Sequence, residues 1–511
     1  MVLDTRANSY FQPWSCFRFF CRVFFLTPPI IASLFLGVVA GAGCQKTRAP
    51  APPHVVLLTV DALRSDHLSV MGYSRQTTPF LDSLCRKGIL FQSVIAQSSY
   101  TKTSMASLLT GLDPNTVGAF LADDVLPEGV TTLAETLKKR GYRTGCAQAN
   151  PSLEAKFGFG QGFDWYADLF PEDTMQKQEK ISYRADRMNA RALEWLAQAP
   201  SSQPVFLYLH YMETHHPYLP PAPYDTLYDP HFDHALPDFT LVYRLVYGPG
   251  KVPMPAELEK IYQERYTADL LLQHLIALYD GELHYLDNQL EIFVNRVLAQ
   301  LGPNTVVILC ADHGEEFLEH GQFEHGKSLY QEVLGVPLLI YSPGRITQAA
   351  AIPDLIRNLD VFPTVLDLAG IPVPDYLPGQ SLRPLWEGKA GKAPEAAFSR
   401  LYSPGQAVWG GAVWGDGILR DLAAITTPRW RLIVDLSTGQ EQLFDHQSDP
   451  GDRRDVSPGR AEEIRGLRQK LNQSFQDSQA LKQTLGLSPP GKTAIDPETQ
   501  KRLEALGYLK R

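Results

Sequence analysis

An acid and a hydroxyl lie at the two ends of one stretch of this sequence, each next to an apolar segment. Val55 to Val60 is an apolar and β-branched run that predicts a strand buried on both faces, and Asp61 follows its C-terminal end. Open α/β sheets bind ligands at such strand ends. Thr101 precedes a segment, residues 105–111, that predicts a helix with a glycine stop. Because a hydroxyl at a helix N-terminus lies among free backbone N–H groups, the pair predicts a nucleophile for an anionic substrate beside a metal-bound carboxylate.

A second acid and an imidazole would complete a metal site. Asp312 and His313 follow the apolar run 305–309, which also predicts a buried strand. Side chains at the ends of neighbouring strands can converge on one divalent cation, which would lower the pKa of the Thr101 hydroxyl. We therefore predict Asp61, Thr101, Asp312 and His313 as metal ligands. This donor set suits Ca²⁺, Zn²⁺, Mn²⁺ and Mg²⁺ to different degrees and leaves the identity of the metal open.

Other cationic side chains follow the predicted strands. His215, in a His-His-Pro-Tyr turn after the predicted strand 205–209, is a candidate acid for the leaving group or a candidate donor to an oxyanion. Lys327, in His-Gly-Lys, is a candidate cation for holding an anionic group. Three further histidines could support the site from behind or could equally be packing or surface residues: His210, His320 and His325.

The order of predicted elements gives the fold class. Strands alternate with helices, and polar clusters follow three of the strands, which predicts an α/β domain over residues 54–390 with a large, mainly parallel sheet covered by helices. A smaller α+β domain follows over residues 391–490, and residues 491–511 form a surface tail. Residues 222–260 are rich in Pro, Tyr and Asp and are predicted to be an insertion over the site. A long helix is predicted over residues 261–299, with its acids Asp280, Glu282 and Asp287 facing solvent.

The N-terminus predicts export. Residues 1–43 combine a basic start, an apolar stretch and a small-residue end, as in a signal segment, and residues 44–53 form a proline-rich tether. Cys44 follows small residues and is a candidate for lipidation, which would attach the protein to the cell envelope or periplasmic membrane surface. An uncleaved anchor and a soluble exported form are the alternatives.

Charge and cysteine content exclude some classes of protein. The chain has 56 acidic and 47 basic residues, a net charge of −9, which argues against nucleic acid as a partner. The cysteines beyond the targeting segment have no paired metal spacing and do not suggest a disulfide scaffold. We expect them to be buried small side chains: Cys85, Cys146 and Cys310.

Ten segments, taken in order, resemble the sulfatase family of the alkaline phosphatase superfamily over about residues 54 to 460. Their number and order make the resemblance specific, although no single segment is decisive. They read TVDALRSDHLSVMGY, TKTSMASLLTGLDP, GYRT, FGFGQGFDWY, LHYMETHHPYLPP, YDGELHYLD, ADHGEEFLEHG, HGKSLYQEVLGVPLLIYSPG, LDVFPTVLDLAGI and LFDHQSDPGDRRDV. The resemblance implies a large α/β domain followed by a small C-terminal sheet domain.

The resemblance also implies roles for individual residues. Asp61, Asp312 and His313 match metal ligands, and Thr101 matches the nucleophile that opens the Cys/Ser-x-Pro-x-Arg signature. Two residues match positions that contact the sulfate or phosphate group, His215 and Lys327. Asn150 lies near a position that often bears a site residue.

The sequence departs from the family pattern at the nucleophile. Sulfatases use a formylglycine made from Cys or Ser, and Thr101 cannot form an aldehyde because oxidation of a secondary alcohol gives a ketone. Thr103 and Met105 replace the Pro and Arg of the signature, and Ala62 replaces the second acid of an Asp-Asp pair. Threonine nucleophiles occur in relatives that cleave phosphate diesters or transfer phosphoethanolamine or phosphoglycerol.

These observations lead to three hypotheses. The first is an exported, metal-dependent hydrolase of sulfate or phosphate esters with Thr101 as nucleophile. The second is a phosphodiesterase or a phosphoethanolamine- or phosphoglycerol-type transferase. The third is a catalytically weakened protein that binds anionic glycans or lipid head groups. The expected partner is thus a small-molecule, glycan or lipid-head-group ester, with membrane association through the N-terminus.

Overall fold

The computed structural model describes residues 51–170, 184–200, 202–232, 260, 267–389, 391–403, 407–409, 412–414 and 418–506. The predicted signal segment, Cys44, most of the tether and most of the predicted insertion lie outside these ranges. Among the helices in the described ranges, none combines the length and the apolar character that a membrane crossing requires.

A sheet of eight strands forms the centre of the fold. Its strands are β1 (His54–Val60), β2 (Ile89–Ile95), β4 (Arg143–Gln148), β5 (Trp165–Asp168), β6 (Val205–Tyr211), β7 (Thr305–Ala311), β10 (Gly335–Tyr341) and β11 (Ala350–Arg357). Across the sheet they run in the order β11-β2-β10-β7-β1-β6-β4-β5. Only β10 runs antiparallel to its neighbours. The predicted large, mainly parallel sheet is confirmed.

The apolar runs of the sequence form the middle of this sheet. Every residue of β6 and β7 is buried, and only His54 of β1 is partly exposed. Strands buried on both faces need a cover on each side, which explains why their side chains are apolar without alternation. The two edge strands β5 and β11 are partly exposed and lack such runs. Neither edge strand is among the strands that the apolar runs of the sequence predict.

The described ranges also contain α-helices. They are α1 (Pro79–Cys85), α2 (Thr101–Thr110), α3 (Pro114–Val117), α4 (Leu133–Lys138), α5 (Ala185–Ala197), α6 (Ala268–Leu301), α7 (Gln331–Leu334), α8 (Val361–Leu368), α9 (Arg383–Trp386), α10 (Ala461–Thr484) and α11 (Pro497–Ala505). Gly111 ends α2 in the left-handed conformation at φ 68°, as its position in the sequence predicts. The three predicted buried cysteines are all buried and unpaired.

The prediction that the acids of α6 face solvent is wrong. Asp280 is fully buried and bonds His67, Tyr73 and Arg75 from the loop after β1. Asp287 is fully buried and accepts from the first backbone N–H groups of α1, at 2.8 and 2.9 Å. The helix therefore uses its acids to hold α1 and the loop that follows Asp61, a role that helical periodicity does not reveal.

A second, antiparallel sheet follows in the C-terminal part. It contains β12 (Ala397–Ser403), β15 (Arg420–Thr426), β16 (Trp430–Asp435) and β17 (Glu441–Asp445). The remaining strands are short: β3 (Asp124–Val125), β8 (Glu316–Phe317), β9 (Phe323–Glu324), β13 (Ala407–Trp409), β14 (Ala412–Trp414) and β18 (Gly491–Lys492). Backbone and side-chain bonds from β12 to Ala96 and Gln97 join this sheet to the end of β2. The tail is less exposed than expected, since Leu503 of α11 is fully buried.

Candidate functional site

Two buried acids meet because their strands are neighbours. β1 and β7 pair in parallel with Val60 opposite Ala311, so Asp61 and Asp312 both follow at the same edge of the sheet. Both side chains are fully buried. One oxygen of Asp312 is fixed by the backbone N–H groups of Ala62, at 3.2 Å, and His313, at 2.8 Å. The predicted convergence of these two carboxylates is what the structure shows.

Thr101 lies against this pair. It is the first residue of α2, and its Oγ1 is 3.0 Å from His313 Nε2. Burial lowers the pKa of the His313 imidazole, which is therefore neutral. Its Nδ1 donates to Gly314 O at 2.9 Å, so its Nε2 carries the lone pair. The Thr101 hydroxyl can then donate to His313, or His313 can direct that lone pair to a metal ion.

His210 and Asn150 hold the other acid. His210 Nε2 is 3.0 Å from Asp61 Oδ2, and Asn150 Nδ2 donates to the same oxygen at 2.7 Å. His210 lies one residue before the end of β6 and pairs with Thr59 of β1, so the sheet sets this contact. Thr214 donates to the Asp61 backbone oxygen at 2.6 Å. Asn150 and His210 were candidates for supporting the site, and both contact Asp61.

The cluster fits a divalent cation. Asp61 Oδ1 and Asp312 Oδ2 are buried and accept no hydrogen bond, and ligand atoms of Asp61, His210 and Asp312 all lie within 4.8 Å of one another. Burial and then the Asp61 charge raise the pKa of Asp312 to about 7. Burial opposes ionisation of Asp61 too, but its interactions with the imidazoles of His215, His210 and His313 lower its pKa overall. Two unpartnered carboxylate oxygens facing each other at a buried point are the donors that a hard cation needs.

A group of polar side chains flanks this cluster. The ring of His325 is 4.2 Å from that of His313 and 4.8 Å from that of His215. His325 Nδ1 bonds Glu315 at 2.8 Å, and the Tyr218 hydroxyl donates to the other Glu315 oxygen at 2.9 Å. The structure thus brings His215 and His325 to the metal-ligand cluster. Glu315 and Tyr218, which orient His325, were not recognised from the sequence because their spacing along the chain carries no pattern.

Lys327 and His320 make other contacts. Lys327 Nζ donates to Glu324 at 2.8 Å, so the candidate anion-binding cation is paired with an acid. His320 bonds Glu332 through Nδ1 at 2.5 Å and the Asp452 backbone oxygen through Nε2 at 2.7 Å. Both of its ring nitrogens are therefore used, and His320 ties the loop after Asp312 to the segment that follows the C-terminal sheet.

The residues that depart from the sulfatase signature are buried in the protein. Met105 is fully buried in the core, and Thr103 donates to Ala119 O at 2.9 Å. Ser104, which the sequence analysis did not single out, donates to Asp312 O at 2.6 Å. The first turn of α2 is thereby fixed to the strand end that carries the acid.

Comparisons with known proteins agree with this architecture. The sulfatase family model matches residues 53–371, and a model of the C-terminal region of N-sulphoglucosamine sulphohydrolase matches residues 318–480. Human arylsulfatase K is 26% identical over 476 residues, which cover 87% of this chain and 86% of the relative.

Two solved structures show the same fold. BT4656 in complex with its substrate D-glucosamine-2-N,6-O-disulfate has a TM-score of 0.64 at 20% identity and covers 85% of this chain and 98% of its own. The phosphonate monoester hydrolase of Agrobacterium radiobacter has a TM-score of 0.64 at 21% identity, with 87% and 100% covered. Because the sulfatase family model matches residues 53–371, more than half of the chain, the chain belongs to the sulfatase family of hydrolases.

Proposed function

We propose that this protein is an exported, metal-dependent hydrolase of sulfate or phosphate esters in which Thr101 is the nucleophile. One observation carries the proposal: the Thr101 hydroxyl, at the N-terminus of α2, lies 3.0 Å from His313 beside two buried carboxylates with unpartnered oxygens. A hydroxyl in that position can attack sulfur or phosphorus, while the helix N-terminus favours the anionic group under attack.

Each residue of the site has its own proposed role. Asp61, Asp312 and His313 would hold the divalent cation, and His210 and Asn150 orient Asp61 through its Oδ2. When bound, the cation would lower the pKa of the Thr101 hydroxyl and neutralise negative charge on the ester. The Thr101 oxygen forms the new bond to sulfur or phosphorus as the ester oxygen leaves, and water then cleaves the enzyme ester.

His215 is the proposed acid for the departing oxygen. Its Nδ1 lies 2.5 Å from the His216 backbone oxygen, which makes Nδ1 the donor there and fixes the ring. Because Nδ1 is protonated, Nε2 carries a proton only in the imidazolium form of His215, and burial, which lowers the pKa, makes that form a stronger acid toward the leaving group.

The nucleophile favours phosphorus over sulfur. A phosphothreonine can be hydrolysed directly, whereas a sulfothreonine lacks the geminal hydroxyl that expels sulfate from a formylglycine. Among the structural neighbours, one holds a sulfated glucosamine and another is a phosphonate monoester hydrolase. Sulfated glycan fragments and phosphodiesters are therefore the substrate classes to compare, together with phosphoethanolamine or phosphoglycerol donors for the transferase alternative.

The test uses metal-loaded protein with 4-nitrophenyl esters of sulfate, phosphate and phenylphosphonate. Thr101→Ala should lose at least about 10³-fold in kcat on the best substrate, because no other hydroxyl replaces the nucleophile. Rapid quenching of the wild type, followed by mass measurement of the Thr101 peptide, should show a phospho or sulfo adduct. Thr103→Ala, a second threonine on the same turn, is the matched control and should keep most activity.

Three results would count against the proposal. Equal turnover by wild type and Thr101→Ala would exclude Thr101 as the nucleophile. Turnover that survives removal of metal by a chelator would exclude the metal dependence. Tight binding of anionic glycans or lipid head groups without any turnover across metals would favour the weakened binding protein, which the buried Met105 in place of a signature arginine motivates.

Export and membrane attachment are part of the proposal and rest on residues 1–53 of the sequence. Cys44 is the proposed lipid site. Cell fractionation of wild type and Cys44→Ser, with labelled palmitate as probe, tests it. Labelled wild type in the envelope fraction and unlabelled variant in the soluble fraction would support lipidation, and an unlabelled wild type would refute it.

A further inference from the structure

The candidate anion-binding lysine is paired with an acid of its own loop. Lys327 Nζ donates to Glu324 Oε2 at 2.8 Å and to Phe323 O at 2.5 Å. Glu324 Oε1 also lies 3.8 Å from His216 Nδ1. The two side chains are only 12% and 16% exposed, so solvent and salt screen their interaction weakly.

This pair lies beside the nucleophile. Ser99 Oγ donates to Ser328 O at 2.7 Å, which fixes the loop containing Lys327 to the turn that enters α2. The side chain of Tyr100 lies 3.7 Å from the point where Gly326 would carry a Cβ. With His325 packed on His313, the loop borders the cluster of Asp61, Thr101 and Asp312.

The backbone holds Glu324 in a fixed position. Glu324 ends the short strand β9, pairs with Glu316 of β8, and has a φ of 70°, in the left-handed region that non-glycine residues rarely adopt. Gly326 follows with a φ of 68° and turns the chain so that Lys327 comes back to Glu324. The backbone thus holds the carboxylate of Glu324 next to Lys327 in the loop that borders the site.

We infer that Glu324 determines the charge of the ester group that the site accepts, by neutralising Lys327. The inference rests on the proposed function. A divalent cation balances the two carboxylates of Asp61 and Asp312, and Glu324 balances Lys327. The Lys327–Glu324 pair and the metal-ligand cluster together then carry little excess positive charge. A second negative charge on the substrate would therefore find no cationic side chain to pair with.

This charge balance separates two classes of ester. Sulfate monoesters, phosphate diesters and phosphonate monoesters each place one negative charge on the group under attack. A phosphate monoester places two there at neutral pH. The site should therefore favour monoanionic esters and discriminate against phosphate monoester dianions, whichever atom Thr101 attacks.

The experiment compares substrates that share one leaving group at pH 8.5. The probes are 4-nitrophenyl phosphate, which is a dianion, and two monoanions, 4-nitrophenyl sulfate and 4-nitrophenyl phenylphosphonate. Glu324→Gln should raise kcat/KM for the dianion relative to the better monoanion by about tenfold, because Lys327 is released to pair with the second charge. Glu324→Asn is the second variant, because asparagine tolerates the left-handed backbone at this position. It should raise the same kcat/KM ratio by a similar factor.

The matched control is Glu319→Gln. Glu319 lies on the same loop and is also in an ion pair, but its partner is Arg64, at 2.6 Å. Its removal should change the dianion-to-monoanion ratio less than about twofold. Calorimetry with phenylphosphonate dianion gives the same comparison without turnover, and its affinity should also rise about tenfold in Glu324→Gln.

The outcomes are separable. Turnover with an unchanged ratio would refute the role of Glu324 and leave the proposed function standing. Absence of turnover in every protein would refute the proposed function, and an unchanged phenylphosphonate affinity would then overturn the role of Glu324 as well. If Glu324→Gln instead loses activity only on esters that carry an ammonium group, Glu324 recognises a substrate cation and the inference is wrong.

Discussion

Replacing Asp312 with Asn should stabilise the protein when metal is removed and should abolish the stabilisation that metal gives the wild type. Ligand oxygens of Asp61 and Asp312 lie within 4.8 Å of each other, and one oxygen of each carboxylate is buried without a hydrogen bond. At an effective dielectric constant of 20, two unit charges at that separation repel by about 3 kcal/mol. The Asn side chain keeps an oxygen for the N–H groups of Ala62 and His313 and turns an amide toward Asp61.

The pH sets the size of this effect. Burial and Asp61 raise the pKa of Asp312 to about 7, above the value of 3.8 expected for an unfolded chain. The folded state therefore binds more protons between those two values, and wild-type stability falls as the pH rises through that window. At pH 8.5 both carboxylates are ionised and the advantage of Asp312→Asn should be full, whereas at pH 5.5 it should be smaller.

The assay is unfolding by heat or urea, with EDTA and again with each divalent cation at 100 times its Kd. Binding at that concentration stabilises the wild type by about 2.7 kcal/mol, and the variant should lose this gain. Asp375→Asn, the same change at an exposed position, should shift stability by less than about 0.5 kcal/mol. The reasoning is refuted if Asp312→Asn is less stable than wild type in EDTA at pH 8.5, or if metal still stabilises it.

Two further predictions concern buried charges outside the site. Arg431→Met should cost about 3 to 5 kcal/mol in urea unfolding, because it leaves the buried Asp452 carboxylate without its ion pair, whereas Arg429→Met removes a half-exposed pair and should cost less than about 1 kcal/mol. Burial raises the pKa of Asp287 to about 7, so its titration should contribute about 2 to 3 kcal/mol to the fall in wild-type stability from pH 5 to 7. Asp287→Asn should show a flatter pH dependence over that range, and a parallel fall in both proteins would contradict the pKa shift.

The parts of the site that sequence could predict are those set by strand ends. Asp61 and Asp312 each follow an unbroken apolar run, and parallel strands bring their carboxyl ends to one edge of a sheet. The position of Thr101 before a glycine-terminated segment predicted its place at a helix N-terminus, which the structure also has. In each case one short segment of sequence determines both the type of secondary structure and the end of that strand or helix at which the side chain lies.

The parts that could not be predicted depend on partners far apart in the chain. Asp280 looked like a solvent-facing acid of a long helix, yet its partners His67 and Arg75 lie about two hundred residues earlier and come from a loop without a period. The edge strands β5 and β11 were not predicted because most of their residues are partly or fully exposed and no continuous apolar run marks them. Side-chain pairing across such distances leaves no local pattern in one sequence.

Three cationic side chains in this part of the described structure already have partners within the protein, which limits the negative charge that they can stabilise on a substrate. Lys102, next in sequence, is fully buried; it donates to the backbone oxygens of Ala122 and Asp124, and burial lowers its pKa to about 7. Arg64 is paired with Asp66 and Glu319, and Lys327 with Glu324. With Met105 in place of the signature arginine, a bound cation would have to supply most of the positive charge that faces the ester. A site with so little positive charge of its own stabilises one negative charge better than two. The replaced signature residues around Thr101 and the proposed preference for monoanionic esters therefore have the same electrostatic cause.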